Sequence, residues 1–185
     1  MEDEQFTGIN FSLKSRKDDK YDNCTFIDCN FSEVHLSNCT FLECEFQDCN
    51  FSLAKLGNTA FRDVRFINSK LIGVDFHDCN PFLLSFHFKD CQLNLTSFKA
   101  LKLKGQKFIS CNLQEADFSQ VDLTNSVFDN CNLDRTIFEQ TILEKADFYT
   151  SFNYSIDPEF NRIKKARFSP EGLMGLLQKY DLRTA

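Results

Sequence analysis

From Tyr21 to Phe76 every fifth residue is large and apolar: Tyr21, Phe26, Phe31, Leu36, Phe41, Phe46, Phe51, Leu56, Phe61, Phe66, Leu71 and Phe76. A second run, two residues out of phase with the first, goes from Leu83 through Phe88, Leu93, Phe98, Leu103, Phe108, Leu113, Phe118, Leu123, Phe128, Leu133, Phe138 and Leu143 to Phe148. A helix repeats its face every 3.6 residues and a strand every two. A step of five fits neither. Five residues make one short extended side and one corner, and a chain that turns the same way at each corner winds into a coil.

Two residues before most of the large centres lies a small, uncharged residue, as at Cys24, Cys29, Val34, Cys39, Ala116, Val121 and Ser126. Two side chains in five therefore point inward, and the other three are polar or charged. This placement explains how 22 Phe coexist with a negative mean hydropathy. The number of sides comes from the second run. Cys precedes Leu93, Leu113 and Leu133 but not Leu103, Leu123 or Leu143, and Phe recurs at 88, 108, 128 and 148. The full period is twenty, or four sides of five. Residues one period apart stack at the inter-strand spacing of about 4.8 Å. The expected ladders are Phe88, Phe108, Phe128 and Phe148; Leu93, Leu113 and Leu133; and Cys91, Cys111 and Cys131. The fold class is an all-β, four-sided β-helix solenoid with a short C-terminal helical segment.

The segments "CNFSE" (29–33), "CNLQE" (111–115), "ADFSQ" (116–120), "VDLTN" (121–125), "CNLDR" (131–135) and "ADFYT" (146–150) resemble the pentapeptide-repeat family. Its pattern is a small residue, a polar one, Leu or Phe, then two polar residues. The resemblance covers about 21–152 and implies a right-handed quadrilateral β-helix. It fixes a fold more than a role, because one fold hosts many functions.

The repeat divides the chain into an N-terminal cap or loop (1–20), the β-helix (21–152) and a C-terminal capping or dimerisation segment (153–185). Arg16 falls where a centre belongs, so a charged loop or frayed cap is expected before Tyr21. A register break lies at about 77–90, where two extra residues separate Phe76 from Phe88. Pro81 takes a centre of the old register and Phe86 a small slot of the new one. The break reads as a corner bulge, or else as a protruding loop offering Phe82 or Leu84 as a contact. Beyond Phe152, Asp157 and Ser169 stand as helix caps with Pro158 and Pro170 opening each helix. Leu173, Leu176, Leu177 and Tyr180 then form an apolar stripe at helical spacing. That stripe would close the open end of the solenoid or make a two-fold contact.

Chemistry finds few candidates. The nine cysteines fall in the small inward slots, are odd in number and include no C-x-x-C, so neither disulfides nor zinc are expected. His35, His77 and His87 are scattered, no phosphate loop or nucleophile elbow appears, and a packed axis leaves no cleft for a small-molecule substrate. No cofactor and no enzymatic activity are expected. No stretch approaches the roughly 20 apolar residues of a membrane span. The acidic start "MEDEQFTGINF" lacks the apolar core of a secretory signal, which places the protein in the cytoplasm.

Charge alternates along the chain. Residues 21–64 carry seven acids against two bases, 65–107 seven bases against three acids, and 115–147 eight acids against two bases. Alternating charge keeps a solenoid soluble. An acidic rod of duplex-like width also competes for a DNA-binding surface. Direct nucleic-acid binding is not expected of a body with net charge −6. Similarity to the quinolone-resistance and microcin-immunity members implies a homodimer through the C-terminal segment. "IDPEFNRI" and the Leu-rich tail resemble the immunity type. It also implies binding of DNA gyrase or topoisomerase IV as a DNA mimic, with protection from their poisons. The acids to carry that contact are Asp117, Asp122, Asp129, Asp134, Glu139 and Glu144. The alternative is a structural or adaptor module with an unrelated protein partner.

Overall fold

The computed structural model describes residues 1–13 and 20–182. It is a right-handed, four-sided β-solenoid, and all its strand pairing is parallel between residues about twenty apart. Taking the sides by their centres, side one carries Phe26, side two Phe31, side three Leu36 and side four Phe41. Among the described residues, side one holds a seven-stranded sheet of Gln5–Thr7, Thr25–Ile27, Glu45–Gln47, Val64–Ile67, Phe86–Lys89, Lys107–Ile109 and Val127–Asp129. Side four holds a three-stranded sheet of Lys20–Asp22, Thr40–Leu42 and Ala60–Arg62. Elsewhere single parallel bridges continue the ladder, such as Asn30 to Asn50 and Asp117 to Ile137.

The corners explain the five-residue step. Two positions past most centres the backbone turns to positive φ, at Glu33 (59°), Leu53 (60°), Ala100 (58°) and Arg135 (53°) among others. Many corners then close a four-residue turn, as where the Val34 N–H donates to the Phe31 carbonyl at 3.2 Å. A positive φ at the third turn position is the type II geometry.

The ladders stack as the period requires. Along side one, Phe6, Phe26, Phe46, Phe66, Phe88, Phe108, Phe128, Phe148 and Phe168 form one column, with centroids 4.7–5.7 Å apart. From Phe6 to Phe148 each meets rings from neighbouring sides edge-on, as Phe118 meets Phe128 at 89°. Leu93, Leu113 and Leu133 are buried, as are Cys91, Cys111 and Cys131, and all nine cysteines are free thiols. Burial pushes the Cys44 and Cys49 thiols up to about 12.

Pairing passes both ends expected of the solenoid. Gln5–Thr7 pairs with Thr25–Ile27, and Phe11 stacks on Phe31 at 4.3 Å, so residues 2–13 form a coil rather than a loop. Phe6 and Phe11 stand one period before Phe26 and Phe31, and that spacing decides their place. The expected loop around Arg16 lies outside the described residues. At the other end, Arg162 bridges Ile142, Arg167 bridges Asp147, and Phe168 stacks on Phe148. The repeat was hidden there because Asn161 fills a small slot. Its buried amide donates to the Phe138 and Asp157 carbonyls, and its oxygen accepts the Thr141 N–H.

Three local expectations are corrected. Asp157 does not cap a helix. Its carboxylate accepts the Glu159 N–H in a turn at 158–160, which returns the chain to the coil. The last segment is 3₁₀ over Glu171–Leu176 and Gln178–Tyr180, although Ser169 Oγ does accept the Gly172 N–H at 3.0 Å. Leu83, placed as an inward centre, is 64% exposed. The two extra residues bulge out at 81–85 before Phe86 pairs opposite Val64, and Leu84 packs inward in place of Leu83.

Candidate functional site

The axis is filled by Phe and Leu from end to end, so any site is a surface. Among the described residues no group of three or more His, Cys, Asp or Glu is placed to hold a metal ion. Among the described residues no helix is long and apolar enough to cross a membrane. An open groove of about 600 Å³ lies between the last coil and the 3₁₀ segment, lined by Phe152, Tyr154, Met174 and Leu177.

The six candidate acids do not share one side. Asp129 is on side one, Asp134 on side two, Asp117 and Glu139 on side three, and Asp122 and Glu144 on side four. Their positions follow from the period, since residues five apart occupy successive sides. Several are already engaged. Asp122 lies 3.3 Å from Lys104 Nζ, Glu144 lies 2.7 Å from Arg162, and Asp134 lies 3.6 Å from Arg135. Asp117 and Asp122 accept the N–H of the residue two ahead, and Asp129 accepts the Thr150 hydroxyl. Asp129 and Glu139 are the exposed pair of the six. The Thr124 and Lys104 hydrogen bonds outweigh partial desolvation and hold the Asp122 carboxyl below its ordinary value.

At the bulge, Phe82 is 63% exposed and the Arg62 guanidinium sits 5.3 Å above its ring. Leu84 is half-buried against the core and offers little contact. At the C-terminus, Leu176 packs on the core, while Leu173, Leu177 and Tyr180 are exposed. The expected stripe therefore splits, because a 3₁₀ segment has three residues per turn rather than 3.6. Gly172 and Gly175 are the residues that let the segment close on Tyr154. A Cβ at Gly175 would come within 2.2 Å of the Tyr154 carbonyl oxygen. A charged clamp holds the segment's far end. Lys179 Nζ lies 2.8 Å from both Asp157 and Glu159, and the Tyr180 hydroxyl donates to Glu159 at 3.0 Å. Lys179 holds both carboxyls below their ordinary values.

One feature escapes a reading by chain segment. Sorted by side, the second half of side four carries Lys102, Lys104, Lys145, Arg162, Lys164 and Lys165 against Asp122 and Glu144. Counting charge modulo twenty would have found it.

Residues 20–81 and 81–148 match the family model described as a pentapeptide repeat region. No curated protein matches the sequence. Among solved structures, a trypsin-treated form of QnrB1, described as a plasmid-mediated fluoroquinolone resistance protein, has a TM-score of 0.64 at 15% identity, covering 100% of this chain and 99% of that one. HetL from the cyanobacterium Nostoc sp., described as a pentapeptide repeat protein involved in heterocyst differentiation regulation, has a TM-score of 0.60 at 14% identity over 93% of this chain and 85% of that one. At such identities the likeness is one of fold.

Proposed function

Because the chain belongs to the pentapeptide-repeat family, we propose that it is a non-enzymatic, cytoplasmic binding rod whose partner is a type II topoisomerase. It engages DNA gyrase or topoisomerase IV as a duplex-shaped body and protects it from quinolone-like or microcin-like poisons. The observation that carries this reading is acid displayed all round a filled rod: Asp129, Asp134, Glu139 and Glu144 circle one coil, as phosphates circle a duplex. QnrB1, similar in fold, is described as a fluoroquinolone resistance protein, which suggests the poison. The exposed Leu173, Leu177 and Tyr180 would join two rods end to end. The test is gyrase supercoiling with purified protein titrated in, with and without a quinolone. Inhibition, or relief of the drug block, at low micromolar protein is expected. No effect from folded protein would end the proposal.

A second reading, an adaptor for an unrelated protein, is favoured by the ion pairs that neutralise Asp122, Asp134 and Glu144 and by the exposed Phe82. Reversing Asp129, Asp134, Glu139 and Glu144 to Lys separates the two. A topoisomerase mimic loses its partner, and an adaptor that binds through the bulge keeps it. Phe82→Asp has the opposite pattern.

A further inference from the structure

The corner column of side four reads, along the rod, as acid, then apolar, then base, while the rungs beside it mix both signs, with Lys20 and Arg62 before the bulge and Asp122 and Glu144 after it. Lys20, Thr40 and Ala60 are in register on the first three rungs, and Lys102, Asp122, Ile142 and Arg162 on the last four. The bulge at 81–85 is the rung between. The corner beside this side presents Glu43 and Asp63 before the bulge, Leu83 at it, and Lys145 and Lys165 after it. All five are exposed. Phe82 and Leu83, at the middle of the strip, are the apolar side chains that the bulge pushes out. Eight rungs at about 4.8 Å make a strip about 34 Å long.

We propose that this strip is a self-complementary interface, and that a second copy of the chain lies antiparallel against it. A two-fold axis in the plane of the interface, perpendicular to the rod, sets each column of side chains against itself in reverse order. Centred between the bulge and the Leu103 rung, it brings Glu43 opposite Lys145, Asp22 opposite Lys164 and Asp63 opposite Asn125. The apolar bulges of the two copies meet near the axis, beside Lys104. Lys20 faces Arg162, a like pair that Asp22 (3.4 Å) and Glu144 (2.7 Å) already neutralise. The chain's charge is thus arranged so that a reversed copy fits where a parallel copy would set like against like. Such complementarity fixes register and speeds encounter. Neither end of the rod takes part, so this contact is distinct from an end-to-end one through the C-terminal segment.

Sedimentation equilibrium of the full chain at low and high ionic strength tests it. With the end-to-end contact removed by Leu177→Asp, a dimer at low salt that dissociates at high salt is expected. The double variant Glu43→Lys with Asp63→Lys, and the double variant Lys145→Glu with Lys165→Glu, should each weaken self-association about tenfold or more. Mixed together, they should form a heterodimer, because the corner positions 43, 63, 145 and 165 are then all basic in one variant and all acidic in the other. All four positions are exposed, so both variants keep the fold, which circular dichroism confirms. Leu177→Asp should leave the dimer intact. A wild-type monomer at low salt overturns the proposal. So does a mixture that stays monomeric, or a dimer lost with Leu177→Asp and kept in both charge variants.

Discussion

Most corner residues of this rod sit in a backbone conformation that L-amino acids avoid. Asn and Asp tolerate it, and they hold many of the corners. Leu53, Leu95, Ala100 and Lys145 do so as well, at a cost of about 1–2 kcal/mol each. The cost is borne because the corner N–H groups stay in the ladder, as where Ala100 donates to the Ser119 carbonyl at 2.9 Å. Ala100→Gly, which would weaken an ordinary helix or strand, should therefore stabilise this protein by about 0.5 kcal/mol. Relief of the left-handed strain exceeds the extra chain entropy of the unfolded state. Urea unfolding measures it, and a loss of stability would contradict this account of the corners.

At the scale of the element, the C-terminal segment is a lid on the last coil, held by close approach and by ions. Gly175 lies against the Tyr154 carbonyl, and its own carbonyl accepts the Ile156 N–H at 3.0 Å. Gly175→Ala should lift the segment off Tyr154 while leaving the coils before it folded. Amide exchange should rise tenfold or more at Ile156, and trypsin should cut faster after Lys179. Unchanged protection at Ile156 would mean that the segment shifts as a unit and the clamp of Lys179 alone retains it. The bulge at 81–85 is the other irregular element. Its position was legible from the phase shift, but which of Leu83 and Leu84 turns inward was not, since both are the same residue type.

The whole molecule is a one-dimensional stack in which each coil supports its neighbours. A line of buried thiols adds a pH dependence to that stack. Burial raises the Cys44 and Cys49 thiols from 9.0 to about 12. Below pH 9 the unfolded thiols are protonated too, so their contribution is constant there. Above it the unfolded chain loses protons that the folded rod keeps, and stability falls until the folded thiols ionise. Between pH 9 and pH 10 the loss should be about 1 kcal/mol per thiol, read from denaturation midpoints at the two values. Replacing Cys44 and Cys49 by Ala should flatten the slope. A slope that the replacements leave unchanged would assign it to other groups.

The sequence by itself determined the coil, its four sides, the ladders of Phe88, Leu93 and Cys91, and the place of the register break. A strict period leaves one way to bury so many rings, and each coil repeats the same local decision. It also held the first coil, in Phe6 and Phe11, one period before rings already assigned. The rest only the tertiary structure decided. Asn161 could enter the core because Phe138 and Asp157 on neighbouring backbone supply acceptors, a condition no local pattern encodes. The two glycines of the tail took their meaning from Tyr154, 18 to 21 residues earlier. The surface was the least legible part. Charges far apart in the chain share a side only once the winding is fixed, so acids that looked like one patch spread over four sides, and scattered lysines gathered on one.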